Sequence, residues 1–224
     1  MESKPVRKRF QLLPAYSWLP LILCLVINVL SFQGTRLFTR GWYHYDISLP
    51  IDKLIPLRAE WVLIYVGCYF SWAASYWLIA REDMERSHRF FSAEIVGKLF
   101  CTAFFIFMPT IMVRPELQGD DLCTSLLRIV YASDTPDNLF PSLHCFASWM
   151  SWRGLVGCKK VPSWYRVFCF VLMFLVFASV LFTRQHLVLD IFGGIACAEL
   201  GYLVSNATGA WRLFGRKKQA AAEA

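Results

Sequence analysis

Charge is scarce in this chain. Only 17% of its 224 residues are Asp, Glu, Lys or Arg, where an ordinary soluble domain carries about 25%. That shortage, with no long basic tract, excludes a nucleic-acid-coating protein. The 57% hydrophobic share excludes a disordered or collagen-like one. No two of the eight cysteines form a C-x-x-C pair, which removes the zinc-ribbon and thioredoxin-like readings. Most cysteines lie inside apolar runs and act there as small hydrophobes, so no disulfide framework is expected. No internal repeat is visible, and low complexity is confined to a short Ala-rich C-terminal stretch. Histidine is the scarcest titratable residue of all, with four copies.

What is abundant points to a bilayer. Mean hydropathy is +0.44, and aromatics make up 17% of the chain, including nine Trp and nine Tyr. Aromatic rings of this kind concentrate at membrane–water interfaces. Six apolar segments approach the ~20 residues needed to cross the hydrocarbon core. They run over Tyr16–Phe32, Trp61–Ala80, Ile95–Val113, Leu143–Val156, Tyr165–Phe182 and Val188–Ser205. The fourth is the weakest, being short and interrupted by Ser148, Ser151 and Arg153. The basic residues from Lys4 to Arg9 precede the first run as in a signal peptide. That run is long for a signal core and no A-x-A site follows it, so it reads as an uncleaved span.

The expected fold class is therefore all-α, a polytopic six-transmembrane-helix bundle. Residues 1–15 and 208–224 form tails, and 16–207 form the membrane domain. With six spans both tails share a side. That side collects fifteen Lys and Arg, from the tails and the loops around 81–94 and 153–166, against seven on the other. Positive residues favour the cytoplasm, so both termini are expected there. The formal charge of +7 is mainly a topology signal of this kind. The longest polar stretches, 33–60 and 114–142, then lie on the opposite side.

Rare polar residues converge on that opposite side. Arg114-Pro115 closes the third span, Pro141-Ser142-Leu143-His144 opens the fourth, and Thr183 to Asp190 bridges the fifth and sixth. Ionisable groups at membrane depth are costly and are functional candidates by default. His186 and Asp190 are four apart and share one helical face. A carboxylate beside an imidazole fixes its tautomer and supports positive charge on the ring, which suits a nucleophilic or basic histidine. His144, from another span, is placed to exchange the leaving-group proton. Arg114 and Ser142 are anion ligands, and the start of the fourth helix offers free N–H groups.

These three segments resemble the C1, C2 and C3 motifs of the type-2 phosphatidic acid phosphatase superfamily. C1 there reads K-x6-R-P and C3 reads S-R-x5-H-x3-D; this chain supplies Arg114-Pro115, P-S-L-H at 141–144 and His186-x3-Asp190. The P-S-L-H spacing is similar to that of the lipid phosphotransferase branch, which includes the sphingomyelin and inositol phosphorylceramide synthases. The resemblance covers about 107–190. It implies that His186 attacks phosphorus to form a phosphohistidine, Asp190 orients it, and His144 serves as general acid and then base. It implies phosphate binding by Arg114, with Ser142 beside it. It also implies metal-independent chemistry without a cofactor, on a lipid phosphate or phospholipid substrate at the outer or lumenal leaflet. Nucleic acid is not an expected partner, and the oligomeric state stays open.

Two positions depart from the pattern. Phe107 stands where C1 has Lys, and Val180 where C3 has Arg, although Ser179 keeps the C3 serine. Arg184 is a candidate replacement cation. Fewer cations should hold a phosphomonoester dianion less tightly, which shifts the balance toward phosphodiester substrates and headgroup transfer. Asp134 to Asn138 reads as turn chemistry, with shaping of the headgroup pocket as the alternative. Glu199 is expected to bond another helix or to meet Lys98. Gly193, Cys197 and Gly201 give the last span one small face for close packing.

Overall fold

The computed structural model describes residues 12–215; the basic residues of both tails beyond these limits lie outside the described residues. The chain is all-α and polytopic. Its helices are α1 (Ala15–Val29), α2 (Thr35–Thr39), α3 (Val62–Ala80), α4 (Met84–Phe107), α5 (Leu122–Ser133), α6 (Leu143–Leu155), α7 (Ser163–Phe182) and α8 (Val188–Thr208). A π-helical turn, Leu30–Gly34, joins α1 to α2, so the first helix continues to Thr39. Among the described residues, five helices are long and apolar enough to cross a membrane: α1–α2, α3, α4, α7 and α8. These match five of the six expected spans.

The sixth, α6, starts where expected but has only 13 residues, about 20 Å at 1.5 Å per residue. It is packed against α3, α7 and α8, and buries His144, Phe146 and Met150 among them.

The third span is shifted. Its helix starts at Met84 rather than Ile95, because Asp83 caps it by accepting the Arg86 N–H at 2.8 Å. The polar early turns are helical because their side chains are covered: Ser87, His88, Ser92 and Glu94 are all buried. The helix stops at Phe107, before Pro109, which disfavours helical geometry at the residue preceding it. Arg114 therefore lies in the segment after the helix, not at its end. The stretch 114–142 also contains a helix, α5, capped by Asp121, whose Oδ1 accepts from Cys123 N and Thr124 N.

Small residues set the central packing. A Cβ on Gly201 would lie 2.3 Å from the Ala93 carbonyl oxygen, so α8 and α4 meet nearly backbone to backbone. A Cβ on Gly193 would strike the Phe140 ring at 2.4 Å. Lys98 does not reach Glu199; it pairs within α4 with Glu94 at 2.7 Å. Glu199 bonds the neighbouring helix instead, accepting from Trp149 Nε1 at 2.7 Å and lying 3.4 Å from Arg153 Nε.

Candidate active site

The site is built where α7 turns into α8. After Phe182 the chain folds back on itself: the N–H groups of Gln185 and His186 both donate to the Val180 carbonyl. Arg184 takes a left-handed conformation, φ 53°, to make that reversal. Asp190, in the first turn of α8, receives the Leu187 N–H at 2.8 Å on Oδ2 and lies 3.2 Å from His186 Nδ1 through the same oxygen. The four-residue spacing thus brings carboxylate and imidazole together, with Asp190 fully buried.

His144 arrives on the second residue of α6. The start of this helix is held against α8 by the Ser142 N–H, which donates to the Asp190 carbonyl at 3.0 Å. The contact requires Gly194, whose Cβ would sit 2.6 Å from the Ser142 carbonyl oxygen. The His144 and His186 rings come to 6.0 Å between centroids. Ser142 is the N-cap of α6: its Oγ accepts from Cys145 N at 3.2 Å.

Arg114 reaches the same cluster from the segment after α4. Its terminal nitrogens donate to the Asp134 carbonyl and to Gln185 Oε1, and its guanidinium lies 4.6 Å above the Tyr131 ring. Arg114 Nε, Gln185 Nε2 and Asp190 Oδ1 are buried and have no protein partner. Polar atoms left this way are uncommon in folded interiors and concentrate where a further group binds. Burial lowers the Arg114 pKa against the opposing pull of Asp134. Burial also raises Asp134, against the charges of His186, Arg114 and Arg36, and pushes Tyr131 up to about 12.

His144, His186, Asp190, Arg114 and Ser142 thus share one cluster. Arg184 stands beside it but is engaged elsewhere, its Nη1 donating to the carbonyls of Asp52 and Ile55. Asp52 completes that clamp by accepting from Val188 N and Leu49 N. The two departures offer no hidden cation: Phe107 is 83% exposed on the helix exterior, and Val180 is fully buried.

Sequence reasoning missed the α3 side of the site. Tyr65 stacks on His144 at 4.2 Å, Tyr69 places its hydroxyl 3.1 Å from His144 Nε2, and the Trp72 ring lies 5.4 Å away. Their spacing of i, i+4 and i+7 was the available signal for one shared helical face. Gln185 was also missed as a site residue. Asp134 to Asn138 does more than turn the chain: Arg36 pairs with Asp137 at 2.8 Å and lies 3.8 Å from Asp134.

Comparison with known proteins finds no matching family model, no matching curated protein and no matching solved structure.

Proposed function

We propose that the protein is an integral-membrane lipid phosphate phosphatase or phosphotransferase that works through a phosphohistidine. The observation that carries this reading is the His186–Asp190 pair set 6.0 Å ring to ring from His144. Asp190 holds the proton on His186 Nδ1, leaving the Nε2 lone pair to attack phosphorus. The bond to the leaving oxygen breaks as His144 supplies its proton. His144 then takes a proton from water or an alcohol, which attacks the phosphohistidine and frees His186. Arg114 neutralises the phosphate oxygens as charge builds on them.

Transfer to a lipid alcohol is the second reading, favoured by Phe107 and Val180. Without those two cations the site suits a phosphodiester monoanion better than a phosphomonoester dianion. We place the site at the outer or lumenal leaflet, with both termini cytoplasmic, on the fifteen-to-seven split of basic residues.

The test is phosphorus transfer by the purified full chain. Incubation with a 32P-labelled lipid phosphate should give an acid-labile phosphoprotein that His186→Ala abolishes. Phosphate release without an acceptor identifies a phosphatase. Label passing only to ceramide or diacylglycerol identifies a transferase. If His186→Ala retains the activity, the phosphohistidine mechanism is wrong; if the parent chain moves no phosphorus, a transport or scaffold role replaces the enzymatic one.

A further inference from the structure

A cavity of about 420 Å³ opens at the end of the bundle opposite the histidines, between the first turns of α4, the last turn of α6 and the last turns of α8. Three arginines line it: Arg86 and Arg89 from α4, and Arg153 from α6. Asp83 and Glu85 line it too, but both are engaged. Asp83 caps α4 and lies 4.0 Å from Arg86 Nε, and Glu85 takes Arg89 Nε at 2.8 Å.

The arginines are held in place without being used up. Arg86 Nη1 donates to the Val156 carbonyl, Arg89 Nη1 donates to Asn206, and Arg153 meets Glu199 through Nε while lying 5.0 Å over the Tyr202 ring. Among the described residues, Nη2 of Arg86 and Arg89 and both terminal nitrogens of Arg153 make no hydrogen bond. A second observation is independent of charge. Tyr202 belongs to the same lining, and its hydroxyl is buried without a partner, a position that otherwise costs free energy.

Guanidinium forks are the donor set that binds a phosphate group, and a phenol hydroxyl beside them adds one more donor. The cavity lies at helix ends, which in a membrane-spanning bundle sit at headgroup level. Exposed Met84, Val156 and Leu203 lie on the three helix segments that border it. Basic pockets between membrane helices take anionic lipid headgroups. We propose that this cavity is a second, non-catalytic site for the phosphate of an anionic phospholipid, distinct from the histidine cluster and independent of its chemistry.

The test uses the full-length protein in nanodiscs of phosphatidylcholine with and without phosphatidylglycerol, reading retained lipid by native mass spectrometry. Phosphatidylglycerol should be retained selectively, and His186→Ala should not change that. Arg89→Gln and Arg153→Gln should each weaken retention about fivefold. Tyr202→Phe, which removes only an unpartnered hydroxyl, should weaken it with the fold intact. Unchanged retention in all three variants overturns the site. Displacement by inorganic phosphate as effective as that by phosphatidylglycerol overturns the lipid assignment in favour of a free anion.

Discussion

The hydroxyl of Tyr69 lies 3.1 Å from Nε2 of His144, while Tyr65, one turn earlier on α3, stacks on the same imidazole at 4.2 Å. The two tyrosines fix the ring in plane and in rotation. Tyr69→Phe keeps the packing and removes the hydrogen bond. Because a bond of this kind is worth about 1 kcal/mol, kcat should fall roughly five- to tenfold with KM little changed. Steady-state kinetics across pH checks this, and an altered pH profile is expected, since the bond bears on which His144 nitrogen carries the proton.

The Asp190 carboxylate meets the His186 ring and the Leu187 N–H through Oδ2, while its backbone carbonyl accepts from Ser142 N. Asp190→Asn leaves the shape but offers the imidazole the wrong partner. A comparable change in a serine protease triad lowers kcat about 10⁴-fold, and a loss of at least about 10²-fold is expected here. Phosphoprotein trapping should show that formation of the intermediate is what slows.

Arg114→Lys keeps the charge but loses the planar fork shared between the Asp134 carbonyl and Gln185. Charge-assisted hydrogen bonds contribute about 1.5–3 kcal/mol, so kcat/KM should drop at least about tenfold. Restoration of kcat/KM in Arg114→Lys by added guanidinium would support the fork; full activity in Arg114→Lys without it would exclude the fork.

Burial raises the Asp134 pKa above the ordinary 3.8. The folded state therefore favours the protonated carboxyl. That contribution to stability is complete below pH 3.8 and is lost as pH rises through the raised folded value. Asp134→Asn, which is always neutral, should melt above the parent at neutral pH, and the difference should vanish in acid. Thermal unfolding followed over a pH series reads this directly. The partly exposed Arg36 contact at 3.8 Å is too loose to reverse the sign.

Gly194→Ala places a methyl 2.6 Å from the Ser142 carbonyl. Overpacking of this kind costs about 1–3 kcal/mol. Because it pushes α6 away from α8, it should also separate His144 from His186. Activity is expected to fall further than stability, measured by assay beside thermal unfolding. Gly67→Ala, at a glycine with no atom near its would-be Cβ, is the control.

The His186–Asp190 pairing was legible from its four-residue spacing, although His186 precedes α8 and meets Asp190 across the helix start rather than on a shared helical face. The start of α6 was legible because Ser142 is a good N-cap ahead of an apolar run. The beginning of α4 was not, because apolarity locates membrane spans and the turns from Met84 to Glu94 are polar yet covered. The same bias hid the Lys98–Glu94 pair and directed Lys98 toward Glu199. Tyr69 could not be told from an interfacial aromatic, since its role depends on the height at which α6 begins beside α3. Arg184 was legible as a cation near the site, but its hold on the carbonyls of Asp52 and Ile55 depends on a loop conformation the residues do not announce.

The short α6 has a consequence for reach. His144, its second residue, meets Tyr69, which is seven residues below the start of α3, or about 10 Å along the helix. His186 is likewise drawn down level with Val180, beneath Trp61 and Phe182, which pack at 4.9 Å near the tops of their helices. Both imidazoles therefore lie below the helix ends marked by Trp61 and Phe182, beside α3 and α7. On the proposed function, a substrate phosphate meets them only by reaching below those ends. Depth, set by the difference in helix length, would then sort the substrates of the proposed reaction by how far their phosphate projects.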